Sequence, residues 1–455
     1  MAAENDELLL RRLAMEILLE ADKEKEFGNT ILKSVLDKYD YLDGKKKAFV
    51  KKLAMGCLER RIQLDYVINL YAKTKTAKMK PVIRILLEMG AYQILFMDQV
   101  YDSTACNLCV SLAQKKGFSS LSGFVNGILR TICREKEQIP WPDYQKEKME
   151  YLHVFYSQPK WLISLLTEQY GEETAEEMLK GFGCEPETSI RFPESVPKKR
   201  RDALMDAWEQ AGIEVTRQTL LPYACSVRAT DRISNMEGFE TGEFVVQDIS
   251  SMLVCECAGM KAGDVVFDVC ASPGGKTLHA ADKLQGTGQI YSFDLTPKKV
   301  DWIIENAERL GYDTITAKVL DATKYEEAYK ETADVLLADV PCSGMGVIAR
   351  KQDISHNLSE EKLESLVSLQ REIVANVSRY VKKGGTLVYS TCTLNKKEND
   401  ENVAWITEEL GFHRVSLKEK IPQEFHPYLN DDGTLQLYRG KLPCDGFFIA
   451  VMIKD

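Results

Sequence analysis

From the start of the chain to about residue 140, apolar positions recur every three or four residues. Leu10, Leu13, Ala14, Ile17 and Leu18 form one such stripe, and Phe49, Val50, Leu53 and Cys57 form another. This spacing puts apolar side chains on one face of a helix. Pro81 suits a first helical turn, and residues 82–96 continue it with helix-forming types. Asn126, Ile128 and Leu129 lie in a further helix that ends near Arg134. The pattern predicts an all-helical domain over residues 1–140. Ile139-Pro140-Trp141-Pro142 ends it, because each proline disfavours a helix running through it. Residues 145–240 are mixed, with a helix through Trp161 to Leu166 and short strands at Thr188 to Phe192 and Phe244 to Val246. We expect a small α+β connector there.

The period changes near residue 245, and residues 245–455 form the third segment. Apolar runs of strand length now alternate with helical stretches, and three of the runs close on an acid: Val265-Val266-Phe267-Asp268, Gln289 to Asp294 and Asp334 to Asp339. Thr386-Leu387-Val388-Tyr389-Ser390 is a fourth run, placed after a Gly384-Gly385 turn. Continuous apolar strands between helices indicate a buried, mostly parallel, doubly wound sheet joined by right-handed crossovers. The expected fold class is a Rossmann-like α/β domain behind an all-α domain and an α+β connector.

Composition narrows the classes. The chain has 455 residues, 44% hydrophobic and 28% charged, as expected for globular domains with sizeable cores. No apolar run is long enough to span a bilayer, and the acidic start lacks the basic and apolar regions of a secretory signal. A cytoplasmic protein without a membrane partner is expected. Its 12 cysteines are scattered without a disulfide-like framework, and Cys106-x-x-Cys109 stands without a second pair at zinc-ribbon spacing, so we expect free thiols and no metal. The net charge of −10 speaks against general nucleic-acid binding, DNA included. Basic clusters interrupt it, at Lys45-Lys46-Lys47 with Lys51 and Lys52, at Lys73 to Lys80, and at Lys198-Lys199-Arg200-Arg201. Such stripes can hold one structured RNA with a steep salt dependence.

The strand ends carry the candidate chemistry. In a doubly wound sheet, ligands bind beyond the carboxyl ends of the strands near the switch point. The segment Cys270-Ala271-Ser272-Pro273-Gly274-Gly275-Lys276 follows the first acid-closed strand, and its glycines permit a close backbone approach. Asp294, one βα unit later, is placed to accept hydrogen bonds from both hydroxyls of a ribose. Asp321 and Asp339 follow in order. The dinucleotide fingerprint is absent, and Gly-Gly-Lys-Thr lacks the earlier glycine of a Walker loop. A nucleoside cofactor without a pyrophosphate fits better, and S-adenosylmethionine is one.

Cys342 and Cys392 each stand just past a strand, in Asp339-Val340-Pro341-Cys342 and Ser390-Thr391-Cys392. A thiolate added to C6 of cytosine makes C5 nucleophilic enough to accept a methyl group, which splits one hard step into two easier ones. Asp339 is placed to interact with the N3 and amino edge of the base, where charge develops. A second thiol can serve the elimination. On chemistry alone either cysteine could be the attacker.

These segments closely resemble the RNA 5-methylcytosine methyltransferases of the Nol1/Nop2/Sun family. The resemblance rests on Asp268 to Thr277, Asp339 to Ile348, Gly384 to Thr393 with Glu398-Asn399, and Asp445-Gly446-Phe447-Phe448. The first part, with Tyr92-Gln93, Asn126 and Leu129-Arg130, is similar to NusB-like RNA-binding domains. Met345 departs from the family pattern, where a small polar residue is usual, and Pro193 stands where asparagine is common.

The resemblance implies an S-adenosylmethionine-dependent RNA cytosine-C5 methyltransferase. Residues Cys270 to Lys276, Asp294, Asp321 and Asp339 would bind the cofactor, Cys392 would be the nucleophile, and Cys342 would assist release. The NusB-like part implies 16S rRNA, bare or early in assembly, as the partner of a monomeric enzyme. Transfer RNA or 23S rRNA is the alternative substrate. A non-catalytic RNA-binding or assembly factor is the alternative from another class, and a binding module would need neither thiol.

Overall fold

The computed structural model is described over residues 6–24, 28–39, 41–228 and 233–455. Ten helices come first: α1 (Asp6–Glu24), α2 (Gly28–Asp37), α3 (Gly44–Glu59), α4 (Arg61–Tyr71), α5 (Pro81–Phe96), α6 (Asp102–Lys115), α7 (Ser122–Glu135), α8 (Lys148–Phe155), α9 (Lys160–Tyr170) and α10 (Glu172–Phe182). Pro81 opens α5, where its missing N–H costs no helical hydrogen bond. The stripe residues Leu13, Ala14, Ile17, Leu18, Val50, Leu53 and Cys57 are all buried in one core. Cys106 and Cys109 are buried in α6, and no metal-holding group of His, Cys, Asp or Glu occurs among the described residues.

The chain divides into two compact units: Met1–Cys184 with Ile348–Asn357, and Glu185–Val347 with Leu358–Asp455. The second unit holds two sheets. The smaller is antiparallel, in the order β2 (Glu214–Arg217), β3 (Ala224–Arg228), β1 (Thr188–Arg191), β4 (Val245–Val246). It packs on the helix α11 (Lys198–Gln210) through Ile190, Phe192, Leu204, Trp208 and Phe244.

The larger sheet contains β5 (Val265–Asp268), β6 (Gln289–Asp294), β7 (Ile315–Val319), β8 (Ala333–Asp339), β9 (Val381–Thr391), β10 (Phe412–Val415), β11 (Leu435–Leu437) and β12 (Phe447–Lys454). Its order is β10-β12-β9-β8-β5-β6-β7, with β11 paired to β12. The pairs β5–β6, β6–β7, β5–β8 and β8–β9 are parallel, and β12 runs antiparallel to β9. Successive strand residues face opposite sides. Val266, Leu337, Val388 and Ile449 join α12 (Ile249–Ala258) and α13 (Gly275–Leu284) in one core. Beyond α14 (Pro297–Leu310) and α15 (Ile354–Asn357) in the chain, α16 (Glu360–Val377) and α17 (Asp400–Glu409) join Phe267, Leu336, Leu387 and Phe448 in the other. Two buried faces explain why these strands read as unbroken apolar runs.

One local expectation is corrected. Gly384-Gly385 does not precede the last parallel strand but lies inside β9, which begins at Val381. Val381 pairs with Ala333 and Thr386 with Val335, so the glycine pair is absorbed as an irregularity in a continuous ladder.

Candidate active site

The strand order reverses between β5 and β8, and both of their carboxyl ends carry an acid. Asp268 ends β5, Asp339 ends β8 and Asp294 ends the neighbouring β6. The turn from Val269 to Gly274 lies across these ends. Val269 N–H donates to Leu337 O at 3.1 Å, Ala271 N–H to Phe293 O at 2.9 Å, and Gly274 N–H to Ala271 O at 2.7 Å. Gly274 has φ 104°, a conformation that L side chains rarely adopt, and α13 starts on the next residue. Asp294 is tied into the same turn, accepting from Ser272 N–H at 3.0 Å and from Leu295 N–H at 2.7 Å. Lys299 Nζ lies 3.0 Å from its other side.

Asp268 is 1% exposed. Its Oδ2 accepts from Thr277 Oγ1 at 2.8 Å, and Ser292 Oγ donates to Thr277 in turn at 2.9 Å. Its Oδ1 is buried with no hydrogen-bond partner. Burial outweighs the Thr277 bond and pushes this carboxyl up to about 7. Gln247 Nε2 is also buried without a partner, and the Gln247 side chain borders Gly275 at the start of α13. An unmet acceptor and an unmet donor beside a helix N-terminus fit a ligand carrying both an ammonium and a carboxylate.

Asp339 occupies the opposite edge of the turn. Lys276 Nζ lies 2.7 Å from Oδ2, and Ser390 Oγ donates to Oδ1 at 2.9 Å. Burial acts to lower the Lys276 pKa, but the adjoining Asp339 carboxylate raises it on balance, so the lysine stays charged. Its ammonium also lies 5.2 Å from the centre of the Phe447 ring. Asp321 is placed differently. It follows β7, and its carboxylate accepts from Thr323 N–H and Oγ1 of its own turn at 3.1 and 2.7 Å, which holds its pKa low. Among the sequence-predicted cofactor residues it stands at the rim, away from the Lys276–Asp339 pair.

The two thiols meet. Cys342 and Cys392 Sγ are 3.4 Å apart and both residues are half-buried. The hydrogen bond with Cys392, followed by burial, pushes the Cys342 thiol well above its ordinary value. Cys270, by contrast, contributes backbone to the turn, and burial raises its thiol. The cysteine loops are braced on each other. Gly346 N–H donates to Cys392 O at 3.0 Å, and Gly446 N–H donates to Gly346 O at 2.9 Å. A Cβ at Gly346 would lie 2.0 Å from Gly446 O, so backbone contact at this point requires glycine. This crossing ties Gly446-Phe447 to the thiols. The preceding Met345 is fully buried.

The chemical role of several groups here had no sign in sequence, though Glu398-Asn399 belong to the segments that carry the resemblance. Glu398 is fully buried, with Ser343, Gln370 and Asn395 as donors, and Asn399 bonds Thr391, Thr393 and Gln436. The hydroxyl residue that follows each cysteine, Ser343 and Thr393, was the local sign available; their oxygens are 2.6 Å apart. A hollow of about 510 Å³ bounded by Ser416, His426 and Asp432 contains none of these residues.

The basic clusters are partly neutralised from within. Arg200 pairs with Glu243 and Glu237, and Arg201 donates to the Val196 and Pro193 carbonyls. Lys46 pairs with Asp6 and Asp43. Lys45, Lys51, Lys52, Lys73, Lys78, Lys80, Lys198 and Lys199 are exposed.

Residues 258–453 match the family described as 16S rRNA methyltransferase RsmB/F, and residues 9–134 match the NusB family. The chain is 35% identical over 448 residues to the probable ribosomal RNA small subunit methyltransferase B of Bacillus subtilis strain 168, covering 98% of both chains. Its fold is similar to the crystal structure of PH0851, with TM-score 0.80, 23% identity and 99% of both chains covered. It is also similar to NSun6 from Pyrococcus horikoshii, solved with the S-adenosylmethionine analogue SFG, with TM-score 0.58 and 22% identity over 65% of this chain and 98% of that one.

Proposed function

From the premise that the chain belongs to the RsmB-type 16S rRNA methyltransferases, we propose how its residues divide the reaction. The protein is an S-adenosylmethionine-dependent rRNA methyltransferase that forms 5-methylcytosine through a cysteine–C6 adduct. S-adenosylmethionine, when bound, supplies an electrophilic methyl group. Asp268 and Gln247 would meet its ammonium and carboxylate, the Cys270–Lys276 turn its methionine end, Asp294 its ribose, and Asp321 the outer edge of its base.

Cys392 attacks C6 of a cytosine held out of its stack, since neither face of a stacked base is open to a thiol. Asp339, oriented by Lys276 and Ser390, faces the N3 and amino edge of the base, where charge develops. Cys342, held as a thiol, donates to the Cys392 sulfur as it leaves. In that step the C5 proton passes to water, its bonding pair forms the C5=C6 double bond, and the C6–S pair returns to Cys392. The Cys342 thiolate then regains a proton from solvent. The observation that carries this reading is the 3.4 Å contact of the thiols of two half-buried cysteines at adjacent strand ends beside the cofactor turn.

The helical part over residues 1–140 and the connector over residues 145–240 supply shape recognition and phosphate contacts. The substrate is 16S rRNA, bare or early in assembly, and the enzyme works as a cytoplasmic monomer. Twelve cysteines free of disulfides support a reducing compartment. No helix among the described residues is long and apolar enough to cross a membrane. Transfer of a labelled methyl group to 16S rRNA, 23S rRNA and transfer RNA tests the reading, with bisulfite sequencing of the product. Label confined to 16S cytosine is expected. Label in transfer RNA or 23S rRNA alone would overturn the target, and label in none would overturn the activity.

A further inference from the structure

Both thiol loops converge on one buried carboxylate. Glu398 is 0% exposed and lies in the turn between β9 and α17. Its Oε2 accepts from Ser343 N–H and from Gln370 Nε2, each at 2.9 Å. Its Oε1 accepts from Ser343 Oγ at 2.6 Å and Asn395 Nδ2 at 3.1 Å. All four partners donate, so the site is built for the ionised carboxylate, which can only accept. Gln370 Nε2 also donates to Pro341 O at 2.9 Å. The residues before and after Cys342 are thus both fastened to the Glu398–Gln370 pair.

The Cys392 loop has a separate set of supports. Thr391 Oγ1 donates to Asn399 Oδ1 at 2.6 Å, and Asn399 Nδ2 donates to Thr393 O at 3.1 Å and to Gln436 Oε1 at 2.8 Å. Glu398 reaches this loop too, through the contact of the Ser343 and Thr393 hydroxyls and through Asn395 Nδ2, three residues past Cys392, but the residues flanking Cys392 take their own bonds from Asn399. The two thiols therefore have different nearest anchors within one network.

We propose that Glu398 is the positioning residue of the release half-reaction: it holds Cys342 in register with the sulfur that must leave, while Asn399 holds the attacking Cys392. This inference rests on the thiol roles proposed above. Glu398→Gln is nearly isosteric but replaces an acceptor with a donor facing other donors, so one arm of the clamp opens. Cys342 then shifts out of register while Cys392 keeps its own supports.

The test uses the full-length protein with S-adenosylmethionine and 16S rRNA. It compares single-turnover methyl incorporation, multiple turnover, and adduct surviving denaturing electrophoresis. For Glu398→Gln, multiple turnover falls by about tenfold or more, single-turnover incorporation changes by less than about threefold, and adduct accumulates. For Asn399→Ala, incorporation and turnover fall together and no adduct accumulates. A merely structural role for Glu398 would give the second pattern in both variants. The proposal is overturned by that result, or by wild-type turnover in Glu398→Gln. If Glu398→Gln lacks a cooperative melt, Ser343→Ala, which removes one arm alone, decides by the same comparison. Failure of the underlying reading looks different: wild type would make no 5-methylcytosine, or Cys392→Ala would remain active.

Discussion

Asp268 has one carboxylate oxygen satisfied by Thr277 and the other buried without a partner, and burial pushes it up to about 7. Between about pH 4 and pH 7 the folded protein therefore holds a proton that the unfolded chain has released. The stability contributed by this site falls as pH rises through that window. Asp268→Asn removes the titration, so the cofactor-free variant should be more stable than wild type at about pH 8, by on the order of 4 kcal/mol, and no more stable at about pH 4. Melting curves at the two pH values check this; equal shifts at both would contradict it. The principal residues of the candidate site were legible because each stands at the end of an apolar run: Asp268, Asp294 and Asp339 on the strands themselves, Cys342 and Cys392 just past them. Glu398 was legible only as part of the resemblance, and Gln370 and Gln436 were not legible as parts of it. Their partners lie far along the chain, and an isolated Gln on a helix or strand shows nothing of what it will meet.

At the scale of elements, period governed what could be read. Helical stripes gave the α-rich first part, and unbroken apolar runs gave the parallel core of the larger sheet, because both of its faces are covered. The position of Gly384-Gly385 inside β9 was hidden, since a glycine pair in sequence looks the same in a turn as in an irregular ladder. Sequence also gave no reason for the terminal Asp445-Gly446-Phe447-Phe448. The structure supplies one: Gly446 hydrogen-bonds Gly346, which hydrogen-bonds Cys392, and Phe447 lies against Lys276. β12 thus braces the thiol loop from the antiparallel side of the sheet. Gly346→Ala should lower the methylation rate by about tenfold or more, because the new Cβ would displace backbone by Cys392 and not a flexible side-chain end. S-adenosylmethionine affinity measured by calorimetry should change little. Loss of cofactor binding in parallel with rate would contradict a local effect.

For the whole molecule, the formal charge of −10 and an RNA substrate are reconciled by distribution. Acids neutralise part of the clusters around Lys46 and Arg200, while Lys73, Lys78 and Lys80 are exposed on the helical part. Binding to 16S rRNA should weaken steeply with salt, and changing those three lysines to Glu should flatten the log–log slope by roughly 0.7–0.9 for each phosphate that is no longer neutralised. Unchanged slope and affinity in the triple variant would remove this surface from the account. The central claim is narrower: Cys392 forms the bond to the base and Cys342 lets it go. It is tested most directly by incubating Cys342→Ala and Cys392→Ala with S-adenosylmethionine and labelled 16S rRNA, then resolving the products on a denaturing gel. The account predicts a persistent protein–RNA adduct with Cys342→Ala, and neither adduct nor methylated RNA with Cys392→Ala; an adduct that accumulates only with Cys392→Ala would contradict it.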